Sequence, residues 1–233
     1  MNMKNETMGS IPENVASELN NRRSSMKSLV FVALAMWLGL VSFLGFQGAF
    51  AGSVDSPPFP LFFGLAIPLT VFFTAYFGWS AFRAFVLGAD LRLVSAIQAW
   101  RWGGLGFLTL YAHGVLPGLF AFPAGLGDMA IGFTAPWIVL GLVRHPSFAA
   151  SRRYVIWNIL GIVDFVVAVS MGTVCSGFIK GLNLSVTTSA MAQLPLVLIP
   201  AYMVPFFIML HCTALFQARQ LARSGKSAPG FNG

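Results

Sequence analysis

The chain has 233 residues, of which 57% are hydrophobic and only 9% charged, against about 25% charged in an average soluble domain. That composition excludes a freely soluble globular protein. The net charge of +7 does not point to nucleic acid either, because the basic residues are dispersed and no basic, aromatic-interleaved stripe gathers them; anionic lipid head groups are the matching counterpart, and the phospholipid bilayer is the expected partner.

Residues 1–27 are polar, with Gly9, Pro12 and several Asn and Ser, and read as a disordered cytoplasmic tail with too little apolar surface to offset the entropy of ordering. The stretch from Ser28 to Phe50 predicts a first transmembrane helix. Ala49-Phe50-Ala51 at its end resembles a small-x-small signal cleavage site. The apolar stretch exceeds the roughly 7–15 residues of a signal core, however, and its polar leader is long, so a retained span is expected. After an outer turn holding Asp55, Pro57 and Pro58, Phe59 to Phe82 predicts a second span, with Pro68 inside it. Arg83 to Trp100 mixes Phe85, Val86, Leu91, Leu93, Val94 and Ile97 with Asp90, Arg92 and Gln98, the pattern of a partly amphipathic segment along the inner surface.

A third span is expected over about Trp102 to Phe122 and a fourth over Leu126 to Val143, joined by an outer turn at Pro123-Ala124-Gly125. A short basic loop from Arg144 to Arg153 precedes a fifth span, Tyr154 to Val174, and a polar outer loop leads to a sixth, Leu194 to Gln217. That outer loop carries Lys180 and Asn183-Leu184-Ser185, formally a glycosylation acceptor. Pro195, Pro200 and Pro205 recur every five residues in the sixth span and predict a kinked or partly unwound helix of the kind that forms ion and substrate sites in transporters. Residues 218–233 read as a second disordered cytoplasmic tail, leaving 28–217 as one transmembrane domain. No repeat of 20 to 50 residues is visible.

Thirteen of the fourteen Lys and Arg residues fall in alternate gaps between these spans, and Lys180 alone falls in the others. Basic residues resist translocation, so both termini are placed in the cytoplasm. The expected fold is therefore all-α: a polytopic membrane bundle of six transmembrane helices. Cys175 and Cys212 fall near opposite ends of neighbouring spans, too far apart for a disulfide.

The residues that bear on function are the polar ones that lipid disfavours. Asp164, near the middle of the fifth span, carries a charge that costs about 2.5–3.5 kcal/mol in a bilayer unless it faces protein or water. Trp157, Gly161, Ala168, Met171 and Cys175 fall on its side of the helix. It reads either as a proton or cation site or as a buried structural carboxyl. Asp128 follows Gly125-Leu126-Gly127 and reads as a helix cap at the outer end of the fourth span, or as a group presented to a cavity. His113 in the third span and His211 in the sixth suggest core histidines, a relay from His113 to Asp164, or, as alternatives, ligands for a b-type haem or, with Asp128 or Asp164, for zinc or copper; no cofactor is the primary expectation. Arg101, at the inner start of the third span, is expected to snorkel to lipid phosphates or pair with an inner loop. Asn158 and Gln193 are further polar residues near span ends, and Gly114 to Gly118 has the small-xxx-small spacing of close helix packing.

Arg101, Gly114, Leu116-Pro117, Phe120-Ala121, Pro123-Ala124-Gly125 and Gly127-Asp128, followed by Trp157-Asn158, Gly161 and Asp164, resemble a segment of uncharacterised bacterial multi-pass inner-membrane proteins. The resemblance implies a bacterial cytoplasmic membrane and carries no activity. No P-loop, His-Glu-x-x-His pair or Gly-x-Ser-x-Gly elbow occurs. The leading expectation is a small transporter or permease moving a small solute or proton; a membrane scaffold or partner subunit, with an oligomer or membrane partner, and a haem or metal enzyme are the alternatives.

Overall fold

The computed structural model describes residues 13–52, 56–179, 182 and 184–226. Asp55, Lys180 and Asn183 of the expected outer loops, and residues 1–12 and 227–233 of the expected tails, lie outside the described residues. The described chain is helical: α1 (Glu13–Phe46), α2 (Phe59–Gly78), α3 (Ser80–Leu87), α4 (Leu91–Ile97), α5 (Leu105–Ala112), α6 (Gly118–Arg144), α7 (Arg152–Val174) and α8 (Val204–Lys226). A 3₁₀ segment, Gln98–Gly104, joins α4 to α5, and a π-helical segment, Ile199–Met203, opens into α8. Five helices are long and apolar enough to cross a membrane: Ser24–Phe46, Phe59–Gly78, Gly118–Arg144, Arg152–Val174 and Ile199–Arg223. Their outward faces are studded with large apolar side chains, among them Phe31, Met36, Phe46, Phe63, Val71 and Trp137. Exposed apolar surface on that scale belongs against acyl chains, and the protein is a helical membrane protein.

The helices overrun the expected tails. Glu13–Lys27 contains no Gly or Pro, and α1 runs through it without interruption; α8 likewise continues past Gln217 to Lys226. The first and second spans end earlier than expected, at Phe46 and Gly78. Phe50, from the cleavage-like tripeptide, is buried against Val41, Ala192, Val197 and Ala201.

The larger correction concerns the third and fourth spans. The expected turn at Pro123-Ala124-Gly125 lies inside α6, which runs unbroken from Gly118 to Arg144 and tolerates both Pro123 and Pro136. The chain reverses earlier, between His113 and Pro117, where Gly114 adopts φ +69° and Pro117 holds an extended backbone before the first turn of α6. A left-handed glycine followed by a proline is the combination that ends one helix and starts the next.

The helical run from Leu91 to Ala112 lies antiparallel along the length of α6. Val94 packs with Leu142, the backbone of Arg101 and Trp102 lies against Gly132, Gly104 against Gly125 and Asp128, and Tyr111 against Gly118. Gly132 brings the two backbones so close that a Cβ there would stand 2.7 Å from the Trp102 nitrogen, and one on Gly125 would stand 2.8 Å from the Gly104 carbonyl oxygen. The small residues of α6 thus act as a groove for this run.

Candidate functional site

A 3₁₀ helix has three residues per turn, so side chains at i and i+3 line up on one side. Gln98, Arg101 and Gly104 are the buried residues of the 3₁₀ segment, and Ser95, one step earlier, is buried too. The local winding therefore aims Arg101 into the bundle. This overturns the expectation that Arg101 snorkels to lipid head groups: only 2% of the residue is exposed.

Arg101 is the hub of a polar cluster drawn from four segments. Its Nε donates to Asp128 Oδ1 of α6 at 2.7 Å, and Nη2 donates to Asp164 Oδ2 of α7. Nη1 donates to the Gly161 carbonyl at 3.2 Å and lies 3.0 Å from Nε2 of His211 on α8. The guanidinium carbon sits 3.9 Å from the centre of the Phe165 ring, a cation–π placement that strengthens in a dehydrated setting. A fixed, planar fork with several donors suits this double carboxylate clamp in a way that an ammonium does not.

Glycines make the space. A Cβ on Gly127 would collide with the Asp164 carboxylate, and one on Gly161 with the His211 imidazole. A Cβ on Gly104 would stand 2.6 Å from the Asp128 Cβ. Asp128 itself lies in the interior of α6, not at a helix start, so the capping role expected for it is replaced by an ion pair.

His211 is fully buried. Its Nδ1 lies 2.9 Å from Asn158 Oδ1, and Asn158 Nδ2 donates to the Tyr154 carbonyl at 2.9 Å. The Trp157 ring meets the imidazole edge-on, with centroids 5.6 Å apart, and is itself fixed by donation from Nε1 to Thr134 Oγ1 at 2.8 Å. Tyr154, Asn158 and Gly161 recur at helical spacing along α7, which explains why one helix supplies both the support for His211 and the carbonyl that Arg101 uses. Beyond them the Tyr154 and Ser95 hydroxyls are 3.2 Å apart. Gln98 donates from Nε2 to the Phe207 carbonyl at 3.4 Å.

Of the residues singled out in the sequence, the structure thus joins Arg101, Asp128, Asp164 and His211. It does not bring His113 to them. His113 is exposed at the end of α5, with Nδ1 2.8 Å from the carbonyl of Thr109 in its own last turn; the expected relay from His113 to Asp164 has no counterpart, and His211 occupies the place beside the cluster. Among the described residues no group of three His, Cys, Asp or Glu side chains gathers as a metal-ligand set.

A cavity of about 580 Å³ reaches the cluster from the end of the bundle that carries the α1–α2 and α7–α8 connections. Arg101 and Asp128 line its floor, Phe62, Phe107, Phe120, Phe165 and Phe207 its walls, and Ser56, Ser176, Thr187, Thr188, Ser189 and Gln193 its rim. Apolar walls with a few convergent polar groups are the usual make-up of a small-molecule site, and the volume falls within the roughly 300–1,000 Å³ such sites span. The chemistry available here is charge recognition and proton exchange at a carboxylate.

No curated protein and no solved structure matches the chain. A family model described as Domain of unknown function (DUF8737) matches residues 58–219, which take in α2 through most of α8 and every residue of the Arg101 cluster, and the chain belongs to that family.

Proposed function

We propose that the protein is a transporter of a bacterial cytoplasmic membrane, moving a small solute in exchange or symport with a proton through the cavity that ends on Arg101 and Asp128. The observation that carries the reading is the charge balance of the cluster that the cavity reaches through Arg101 and Asp128. One guanidinium faces two carboxylates. The His211 nitrogen turned toward Arg101 accepts a hydrogen bond, because a guanidinium has no acceptor, so the imidazole there is neutral. A cluster with one more carboxylate than cation has room for one proton or one monovalent cation, and within a bilayer such groups mark ion and substrate paths.

The topology that goes with this reading has six passes. The run from Leu91 to Ala112 supplies the third: seven of its residues are 3₁₀, which rise about 2.0 Å each instead of 1.5 Å, so the run extends roughly 36 Å, enough for a hydrocarbon core of about 30 Å. Arg83, Arg92, Arg144, Arg152, Arg153 and Arg219 then share one side with both termini, the cytoplasm. The cavity rim opens to the other side.

The test is solute-triggered acidification in proteoliposomes that enclose a pH-sensitive dye, challenged with a panel of amines, amino acids, carboxylates and sugars. The wild-type protein is expected to give a pH change with at least one class, and Asp164→Asn to abolish it while eluting as a folded monodisperse protein. Equal responses from wild type, Asp164→Asn and protein-free vesicles would sink the proposal. A second reading has its own observation: Arg101 ties the 3₁₀ segment, α6, α7 and α8 together through nearly all its donors, as a structural staple in a scaffold subunit would. Under that reading Asp164→Asn lowers thermal stability and loses a co-purifying partner.

A further inference from the structure

We propose that the cavity recognises a protonated amine with an apolar body, its ammonium seated on Asp128 and its body among the phenylalanines. The inference rests on the transport reading only in using the same cavity. Three features of the floor and walls carry it.

The first is which charge the cavity meets. The Arg101 side chain is 1% exposed and that of Asp128 is 15% exposed, so the surface at the floor belongs to the carboxylate and the guanidinium is covered. The second is the unused acceptor. Arg101 engages Asp128 through Oδ1; Oδ2 takes no hydrogen bond from the described residues, in a side chain that keeps 15% of its surface open. An ammonium donor placed there completes the carboxylate and supplies the one positive charge that the cluster lacks. An anion gains nothing, because the cation that would attract it is already clamped by two carboxylates.

The third feature is the wall. Phe107 and Phe120 meet edge to face with centroids 5.4 Å apart, and Phe165 and Phe207 stack with centroids 6.2 Å apart; all four line the cavity. Phenyl faces attract a cation electrostatically and shield an apolar body from water. A strongly hydrated inorganic ion has no use for such walls, whereas an organic ammonium gains from both the walls and the floor.

Binding of benzylammonium, benzyl alcohol and benzoate to detergent-purified full-length protein by equilibrium dialysis tests this without any flux. Benzylammonium is expected to bind saturably at pH 7, with benzyl alcohol and benzoate each weaker by about tenfold or more, the order that a desolvated charge and cation–π contact together imply. Asp128→Asn is expected to abolish the preference for the amine over the alcohol. Equal binding of amine and alcohol, tighter binding of benzoate, or an unchanged preference in a folded Asp128→Asn protein would overturn the proposal. The comparison among the three probes on the wild-type protein needs no variant to fold. Amine binding without solute-triggered acidification would keep this inference and sink the transport reading; acidification by a different solute class with no amine binding would do the reverse.

Discussion

Arg101 Nη1 and His211 Nε2 lie 3.0 Å apart, and that contact sets the direction of every hydrogen bond behind it. A guanidinium only donates, so Nε2 accepts, the imidazole proton sits on Nδ1, and Nδ1–H donates to Asn158 Oδ1 at 2.9 Å. The Asn158 amide is thereby fixed as well, its Nδ2 facing the Tyr154 carbonyl. A chain of donors thus ends in an acceptor aimed at the guanidinium, and the cluster holds Arg101 without adding a second positive charge.

Nitrogen-15 NMR of histidine-labelled protein reads this directly. With three histidines in the chain, the His211 signals are assigned as those lost in His211→Gln. They are expected to show a protonated Nδ1 and an unprotonated Nε2. A proton on Nε2 would mean that Arg101 does not donate there, and the derived direction of the chain would fail with it.

Removing the hub is expected to cost more than removing the whole charged set. Arg101→Met leaves two carboxylates in the bundle without their cation, a change that in buried pairs destabilises by about 3–5 kcal/mol. The triple variant Arg101→Met, Asp128→Asn, Asp164→Asn eliminates the orphaned charges and is expected to recover most of that loss in a detergent thermal-melting assay. Arg101→Lys falls between them, because a single ammonium cannot reach Asp128, Asp164, Gly161 and His211 at once. If the triple variant melts no higher than Arg101→Met, the loss does not come from unpaired charge.

The sequence made the membrane class visible, and with it the need for Asp164 to face protein, since long apolar runs and an isolated mid-span carboxylate are local signals. It hid Arg101. Both the true turn, Gly114 to Pro117, and the false one, Pro123 to Gly125, are Gly and Pro clusters, and composition cannot tell a helix break from a proline carried inside a long helix. Choosing the later cluster set Arg101 at the membrane surface and Asp128 at a helix start. A signal was nonetheless present: Ser95, Gln98, Arg101 and Gly104 repeat every three residues, and no 3.6-residue periodicity search responds to that spacing. His113 misled for the opposite reason, being mid-span by count yet placed at the turn once the helix ended at Ala112.

The glycines that shape the cluster yield a graded prediction. Gly127→Ala sets a methyl against the Asp164 carboxylate and Gly161→Ala sets one against the His211 ring, so each is expected to destabilise by about 1–3 kcal/mol, as overpacking does, despite the better helix propensity of alanine. Gly103 and Gly106 have nothing within 4 Å of an added Cβ, and alanine at either is expected to be neutral or slightly stabilising. Equal effects at all four positions would show that the cluster is looser than described.

The run from Leu91 to Ala112 decides between five and six passes. Ala84 and Ala112 are both exposed, one in α3 and the other at the end of α5, with the whole run between them. If the run crosses the bilayer, single cysteines at these positions, introduced into a Cys175→Ala, Cys212→Ala background, react with a membrane-impermeant maleimide from opposite sides: Ala84→Cys in inverted vesicles and Ala112→Cys in right-side-out cells. A 22-residue run that starts and ends on one side would instead give labelling of both from the same face. That result would make the segment re-entrant and move Arg101 from the middle of a pass to the tip of a loop. The antiparallel contacts of the run with α6, from Val94 beside Leu142 to Tyr111 beside Gly118, favour the crossing, because a re-entrant loop would have to double back and would meet only one half of that helix.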